Sequence, residues 1–267
     1  MSFMNKVLLA SGCSWTDENF QSIDTSLDAS CRGPWPMWPQ IFAESVDAKC
    51  VNLGKSGKSN KYIFDSIVNK LYSGEQIDYV VVIWTSWDRF EYMGIETHYP
   101  ILSLLIDCDE EISSFKDQFD GKNIKSYTDI FKDMSQRQLV EYAKDVIDTN
   151  LRYMTMLSSL LEERNIPYLF FQGISAFPIH ISCDIDDMES FTDSSMIKQM
   201  HSSVYHNKIN KNPKIIGFPF FKIFGGYKIA DDLTASERIS YNDPHPNKNG
   251  QIKIAKIISN CWKEIYN

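Results

Sequence analysis

The stretch Lys6–Thr16, which reads KVLLASGCSWT, carries the first indication of the fold. It places a short apolar run directly before a Gly-x-Ser turn whose serine is Ser14. Ser11 interrupts the run after four apolar residues, whereas the hydrophobic region of a secretory signal needs roughly 7 to 15. We therefore interpret Lys6–Ser11 as a buried strand, and we predict that Ser14 lies at the mouth of the sheet that contains it.

Three further apolar runs, bounded by turn residues, predict strands at Ala48–Leu53, Tyr79–Thr85 and Tyr168–Gln172. Segments with helical spacing lie between the strands, including a long one that ends near Arg164, and a terminal helix is predicted to begin near Asn247. Strands that alternate with helices are typical of βαβ units. The predicted fold is therefore α/β, with a parallel sheet covered by helices on both faces.

Two polar, weakly periodic stretches interrupt this alternation, at about residues 90–135 and 174–213. We interpret both as insertions into a single domain that spans residues 1–267, because no Pro/Gly/Ser-rich linker and no internal repeat marks a boundary. Ligands of open α/β sheets bind beyond the carboxyl ends of the strands, and these stretches follow the third and fourth strands. They are either a lid or specificity surface for a substrate, or ordinary surface elaboration.

The charge balance argues against nucleic acid as a partner. The chain carries 27 Lys and Arg against 35 Asp and Glu, a formal net charge of −8, which is the wrong sign for neutralising many phosphates. The longest apolar run, Tyr79–Trp84, has six residues, far fewer than the roughly 20 that span a bilayer. We expect a cytoplasmic protein without a membrane or nucleic-acid partner, and the sequence leaves the oligomeric state open.

The six cysteines are scattered singly without a CxxC pair, which favours reduced thiols over a disulfide framework or a zinc site. One polar stretch places His180 and Cys183 beside three aspartates, Asp184, Asp186 and Asp187. We interpret that stretch as a solvated loop, with a metal site as the alternative. The prediction is that the protein needs no metal and no cofactor.

Ser14 is a candidate nucleophile. A serine hydroxyl reacts weakly on its own, so it needs an adjacent base and donors for the oxyanion that forms when it attacks a carbonyl. Without such partners, a turn serine that caps the next segment is the simpler explanation. The motif also differs from the Gly-x-Ser-x-Gly elbow, because Thr16 stands where that motif has its second glycine.

The stretch Asn52–Asn60, NLGKSGKSN, forms a glycine-rich turn before a helix. Its Gly-Lys-Ser part imitates the end of a phosphate-binding P-loop, which makes an ATP-dependent kinase that uses Lys58 one alternative. However, the opening glycine of that motif falls on Asn52, and no acidic residue directly ends the strand Tyr79–Trp84 to hold magnesium. The other interpretation is a turn whose backbone N–H groups point at the site above the sheet.

The stretch Asn242–Gly250, NDPHPNKNG, directly precedes the terminal helix. His245 stands between two prolines that restrict the backbone. Asp243, two residues earlier, can hold the imidazole in one tautomer so that it takes a proton from a serine. A loop with a helix cap at Asn247 is the alternative. None of the other four histidines combines a rigid setting with a neighbouring carboxylate in this way.

The order of these motifs along the chain resembles that of the SGNH (GDSL-type) hydrolase family. The resemblance covers nearly the whole chain, with blocks near its start, at Asn52–Asn60, at Trp84–Arg89 and at Asp243–Gly250. The blocks are most similar to a divergent branch found in phage genomes and bacterial surface-polysaccharide clusters. That similarity makes association with a virion a further expectation.

The resemblance implies a three-layer α/β/α sandwich around a flavodoxin-like parallel sheet. It also implies roles for residues: Ser14 would be the nucleophile, His245 the base and Asp243 the group that orients the base. Backbone N–H groups of Ser14 and Gly57 would form two arms of an oxyanion hole, with Ser86 at the third position. The implied activity is hydrolysis of an acyl ester, in particular an acetyl ester on a small molecule or glycan, through an acyl-enzyme.

The chain departs from the family pattern at three positions. Cys13 stands where an acidic or amide residue commonly precedes the serine, and Ser86 stands where an asparagine usually supplies the third oxyanion donor. The last block often reads Asp-x-x-His, which would give the acid position to Asn242 instead of Asp243.

These departures keep a second hypothesis open, a glycan-binding or assembly protein that has the fold without the activity. Stacking faces for sugars would then come from Trp15, Trp35, Trp38, Trp84 and Trp87. The substrate-binding residues of the esterase hypothesis are two of these, Trp15 and Trp87. Packing around the ends of the first and third strands is the alternative use for both rings.

Overall fold

The structure is a computed structural model that describes residues 6–87, 89–92, 95–98, 136–176, 195–222 and 225–266. These ranges contain seven strands: β1 (Lys6–Ser11), β2 (Ala48–Asn52), β3 (Tyr79–Trp84), β4 (Arg89–Tyr92), β5 (Ile95–His98), β6 (Tyr168–Gln172) and β7 (Ile215–Ile216). They also contain six α-helices: α1 (Trp38–Ser45), α2 (Asn60–Tyr72), α3 (Gln136–Glu163), α4 (Ser195–Ser202), α5 (His206–Asn210) and α6 (Lys248–Tyr266).

Five of the strands form one sheet in the order β2-β1-β3-β6-β7, and every pair within it is parallel. Leaving aside the antiparallel hairpin β4–β5, this is the 2-1-3-4-5 order of a flavodoxin-like sheet. The predicted α/β class and parallel sheet are therefore confirmed. Because all five strands run in the same direction, the segments that follow β1, β2 and β3 emerge at one edge of the sheet.

Two separate hydrophobic clusters cover the two faces of the sheet. One contains side chains of α2 and α3, including Ile63 and Leu151, and the other contains side chains of α1 and α6, including Phe42 and Ile258. Strands buried on both faces need apolar residues at successive positions, which explains the uninterrupted run Leu8–Ala10 in β1. This three-layer arrangement confirms the predicted α/β/α sandwich.

The predicted strand boundaries agree closely with the structure. β1 and β6 have the predicted bounds, while β2 and β3 each end one residue earlier, at Asn52 and Trp84. α3 ends at Glu163, and α6 begins at Lys248, directly after the predicted start. The side chain of Asn247 accepts hydrogen bonds from the backbone at Asn249 and Gly250, so the expected cap of α6 is present.

The second predicted insertion is only partly a surface feature. It contains α4 and α5, which pack against α3, and its residues Met200 and Ile209 are fully buried in the same hydrophobic cluster. The short helices have too few turns to show a clear helical period. In the sequence, this part of residues 174–213 therefore resembled a polar insertion. The first stretch begins with the hairpin β4–β5, and its remainder, residues 99–135, lies outside the described ranges, as do residues 177–194.

A single domain over residues 1–267 stays a prediction. None of the described helices is both long and apolar enough to cross a membrane. Cys13, Cys31, Cys50 and Cys261 carry free thiols, while Cys108 and Cys183 fall outside the described residues.

Candidate active site

A tight turn places Ser14 at the carboxyl edge of the sheet, directly after β1. The backbone N–H groups of Thr16 and Asp17 both donate to the carbonyl oxygen of Cys13, at 2.8 and 3.1 Å. A side chain at Gly12 would meet the hydroxyl of Thr16 at 2.1 Å, so only glycine fits the start of the turn. Ser14 itself is buried.

Two hydrogen bonds connect Ser14, His245 and Asp243 in series. The hydroxyl oxygen of Ser14 lies 2.8 Å from Nε2 of His245, although the two residues are 231 positions apart. Nδ1 of the same ring lies 2.5 Å from a carboxylate oxygen of Asp243. The carboxylate accepts the Nδ1 proton, and this tautomer leaves Nε2 as an acceptor for the serine hydroxyl. The structure thus brings together the three side chains, Ser14, His245 and Asp243, that the sequence analysis singled out as candidates.

Asp243 is held as a carboxylate by several donors. Its Oδ1 also accepts from the backbone N–H of His245 at 3.1 Å, and its Oδ2 accepts from the hydroxyl of Ser22. Burial alone would raise the pKa of Asp243, but the hydrogen bonds from His245 and Ser22 outweigh it and lower the pKa to about 2. Asn242 is exposed. Asp243, and not Asn242, therefore occupies the acid position next to the ring.

The ring of His245 is fixed on its face as well as at both nitrogens. Phe20 stacks on it with the ring centroids 4.5 Å apart. The backbone around it is held by the Ile239 N–H, which donates to the carbonyl of His245 at 2.9 Å, and by Arg238, which donates to the carbonyl of Pro244 at 2.7 Å. The imidazole can therefore keep its orientation between the serine and the carboxylate.

The glycine-rich turn after β2 lies against the Ser14 turn. The N–H of Lys55 donates to the carbonyl of Gly12 at 3.1 Å, and the backbone N–H and hydroxyl of Ser56 both donate to Asp17. Gly57 follows with a φ of +78°, in the left-handed region that favours glycine. Among the described residues, no acceptor is bound to the backbone N–H groups of Ser14 and Gly57.

Ser86 follows Thr85 directly after β3, and the backbone of Thr85 is held by buried amide side chains that the sequence did not single out. Asn60 accepts from the N–H of Thr85 at 2.9 Å and donates to its carbonyl at 3.1 Å, while Gln172 donates to the same carbonyl at 2.8 Å. Asn150 in turn accepts from Asn60 at 2.7 Å. Two sequence signals could have indicated these buried amides: Asn150 is a polar residue in the apolar face of α3, and Gln172 is a polar residue at the end of β6.

The burial of Trp15 and Trp87 argues against the prediction that they bind substrate. Their side chains are only 4% and 1% exposed, and they belong to the hydrophobic clusters on opposite faces of the sheet. The indole N–H of Trp87 is also bound to Gln172 at 3.2 Å. Neither ring presents a face to a ligand, because both close the core where β1 and β3 end.

The structure also argues against the P-loop interpretation. The hydroxyl of Ser59, which would have to reach magnesium, accepts from the N–H of Tyr62 and caps α2. Lys58 extends over the ring of Tyr62, with its ammonium 5.5 Å from the centroid. The loop therefore serves as a turn and helix cap.

No cluster of three or more His, Cys, Asp or Glu side chains suited to a metal ion occurs in the described part of the chain. The stretch around His180 and Cys183 lies outside it. A cavity of about 510 Å³ adjoins the His245 ring, between residues 20–25 and residues 242–245. Ser14, Gly57 and Ser86 are not among its lining residues, so this cavity borders the His245 and Asp243 side of the hydrogen-bonded series rather than the serine.

No family model matches the sequence, and no curated protein is significantly similar to it. Among solved structures, an acetyl-xylooligosaccharide esterase from Geobacillus aligns at 12% identity and a TM-score of 0.43, over 98% of this chain and 95% of that one. An α/β hydrolase from the metagenome of Lake Arreo aligns at 11% identity and a TM-score of 0.38, over 97% of both chains.

A lipolytic protein of the G-D-S-L family from Veillonella parvula aligns at 9% identity and a TM-score of 0.35, over 98% of both chains. Similarity this remote leaves the activity of the chain to be argued from its own residues.

Proposed function

We propose that this protein is a serine hydrolase that cleaves carboxylic esters through Ser14, His245 and Asp243. The observation that carries the proposal is the pair of hydrogen bonds in series, 2.8 Å from the serine hydroxyl to Nε2 and 2.5 Å from Nδ1 to the carboxylate. Both distances lie within the reach required for proton transfer to a base and for orientation of that base.

In the first half of the reaction, the oxygen of Ser14 attacks the ester carbonyl while His245 takes the hydroxyl proton on Nε2. A tetrahedral intermediate forms, and the resulting imidazolium is stabilised by the ionised carboxylate of Asp243. When the intermediate collapses, the bond to the leaving alcohol breaks and His245 delivers its proton to that alcohol. An acyl group is left on Ser14.

The second half repeats these steps with water. His245 takes a proton from the water molecule that attacks the acyl-enzyme, and it returns that proton to the oxygen of Ser14 as the acid departs. Asp243 stays ionised throughout, which fits its lowered pKa of about 2.

The oxyanion of each intermediate is proposed to lie between the N–H groups of Ser14 and Gly57, with Ser86 as the third donor. Each such donor typically stabilises the transition state by about 3 kcal/mol. Support for this assignment comes from the shared edge of the sheet at which the three residues emerge, and from the two backbone N–H groups that have no acceptor among the described residues.

The finer proposal is that the ester is an acetyl group on a neutral carbohydrate. Asp24 and Asp243 both line the cavity beside His245, and the whole chain carries a net charge of −8. A neutral sugar ester meets less repulsion there than a polyanion. A panel of acetylated glycans and aryl acetates tests this proposal, and the absence of glycan turnover above that of the Ser14→Ala variant would remove it.

A fluorophosphonate probe tests the hydrolase proposal directly. We expect one adduct on the full chain, mapped by mass spectrometry to Ser14, and no adduct on Ser14→Ala. Ser26→Ala is the matched control, because it removes an exposed serine hydroxyl that contacts neither His245 nor Asp243, and it should be labelled like the wild type. An unlabelled wild type would refute the proposal and favour the non-catalytic hypothesis.

A further inference from the structure

Two serine hydroxyls join the loop that contains Asp24 to the loop that contains Asp243, and they do so reciprocally. The hydroxyl of Ser22 donates to the Asp243 carboxylate and accepts from the N–H of Asp24 at 3.1 Å. The hydroxyl of Ser240 donates to the Asp24 carboxylate at 2.8 Å and accepts from the N–H of Asp243 at 3.0 Å. Each serine thus binds its own loop through the backbone and the other loop through a carboxylate.

Only one of the two serines contacts the carboxylate that faces His245. Oδ1 of Asp243 accepts both the backbone N–H and the Nδ1 proton of His245, and Oδ2 accepts the hydroxyl of Ser22. With both oxygens bound, the carboxylate cannot rotate without breaking a hydrogen bond. Ser22 is 6% exposed, so the bond is shielded from competing water.

We propose that Ser22 is a positioning residue for ester hydrolysis, which acts by holding Asp243 so that its Oδ1 faces Nδ1 of His245. This inference rests on the proposed function, because it assigns Ser22 a part in the same reaction. Ser22 touches no reacting atom and acts through Asp243 alone.

The hydrogen bond from Ser22 to Asp243 has an electrostatic effect in addition to its geometric one. A hydroxyl that donates to a buried carboxylate stabilises the ionised form, and Ser22 is one of the groups that lower the pKa of Asp243. An ionised Asp243 is the form that accepts the Nδ1 proton. Loss of the Ser22 hydroxyl should therefore loosen the carboxylate and raise its pKa together.

A purely structural role makes a different prediction. If Ser22 served only to join the two loops, removal of the Ser240 hydroxyl would have the same effect, since Ser240 joins the same loops. Ser240→Ala leaves both oxygens of the Asp243 carboxylate bound, so it separates positioning of the carboxylate from attachment of the loops. Ser26→Ala, whose hydroxyl contacts Asp24 from the same loop as Ser22, is the control for the substitution itself.

The experiment compares Ser22→Ala, Ser22→Thr, Ser240→Ala and Ser26→Ala with the wild type, all as the full chain, on an aryl acetate. We expect Ser22→Ala to lower kcat by about tenfold with KM within about twofold of the wild type, since orientation of the base matters mainly in the transition state. Ser22→Thr keeps the hydroxyl and should recover most of the rate. Ser240→Ala and Ser26→Ala should lose less than Ser22→Ala.

A carbon NMR titration of the Asp243 carboxyl provides a readout that does not depend on activity. We expect its midpoint to rise in Ser22→Ala and to stay unchanged in Ser26→Ala. An unchanged midpoint together with a wild-type kcat in Ser22→Ala, or an equal loss of kcat in Ser240→Ala, would overturn the positioning role. A wild type that cleaves no ester while the titration shifts as expected would instead count against the proposed hydrolase.

Discussion

At the scale of single residues, Asp243 gives the sharpest test of the proposed chemistry. In Asp243→Asn the amide can offer its N–H₂ to Nδ1, which favours the tautomer with the proton on Nε2. That nitrogen can no longer accept the proton of Ser14. We expect kcat for an aryl acetate to fall by roughly 1000-fold or more.

Asp65→Asn is the matched control for this change. The side chain of Asp65 on α2 is 45% exposed and its carboxylate pairs with Lys61, so its replacement by an amide should leave kcat unaltered. If steady-state rates for Asp243→Asn and Asp65→Asn were both close to the wild-type rate, His245 would not depend on Asp243 for its tautomer.

The site residues that the sequence predicted have different surroundings from those that it did not predict. Ser14 and His245 follow or precede regular elements and carry local signals, a Gly-x-Ser turn and a histidine between prolines. Ser22 lies in an irregular stretch and its partner is 221 positions away. A hydrogen bond between two loops leaves no periodic trace in a sequence, so a residue of this kind becomes visible only once the loops are placed.

At the scale of elements, the turn between β2 and α2 connects the fold to the proposed oxyanion hole. Gly57 has a φ of +78°, and a side chain added there would meet no atom within 4 Å. The cost of Gly57→Ala is therefore conformational, about 1 kcal/mol, and it would be relieved by a rotation of the peptide that carries the N–H. We expect kcat to fall by roughly 10-fold to 100-fold, with a small decrease in Tm.

Gly74 provides a matched control in the same structure. It has a φ of +82°, it also has open space around the position of a side chain, and it follows the opposite end of α2. Gly74→Ala should lower Tm by a similar amount and leave kcat unchanged. Equal losses of kcat in the two variants would mean that the N–H of Gly57 has no special part in the reaction.

Elements were predictable where a hydrophobic pattern ran long enough to show its period. The apolar runs of β1, β3 and β6 and the long repeat of α3 satisfied this condition. β7 has only two residues, Ile215 and Ile216, and α5 has five, so neither could produce a recognisable period. The helix α1 was missed for another reason, since its proline at the second position resembles a turn signal although it is well tolerated there.

At the scale of the whole molecule, the lowered pKa of Asp243 predicts how stability depends on pH. The carboxylate has a pKa of about 2 in the fold against 3.8 as a free side chain. The contribution of this carboxylate to the free energy of unfolding is therefore fully present above about pH 4, and it is lost as the pH falls through about 2. The size of the contribution is on the order of 2 kcal/mol.

Urea unfolding of the wild type and of Asp243→Asn between pH 5 and pH 2 measures this contribution, with the pH limits chosen to bracket roughly the two pKa values. We expect the free energy of unfolding of the wild type to fall more steeply than that of the variant as the pH is lowered. Parallel curves would indicate that Asp243 has the same proton affinity in the folded and unfolded chain. The difference between the two proteins removes the effect of all other carboxylates that they share.

The burial of the tryptophans has a consequence for optical measurements. Five of the six, Trp15, Trp38, Trp84, Trp87 and Trp262, are buried in the layers on the two sides of the sheet. Their emission depends on the exclusion of water from those layers, so intrinsic fluorescence should show a large red shift when the protein unfolds. It should respond only weakly to a ligand that binds at the mouth of the site. Ligand binding to this protein is better measured with a fluorophore on the ligand than through the fluorescence of the tryptophans of the chain.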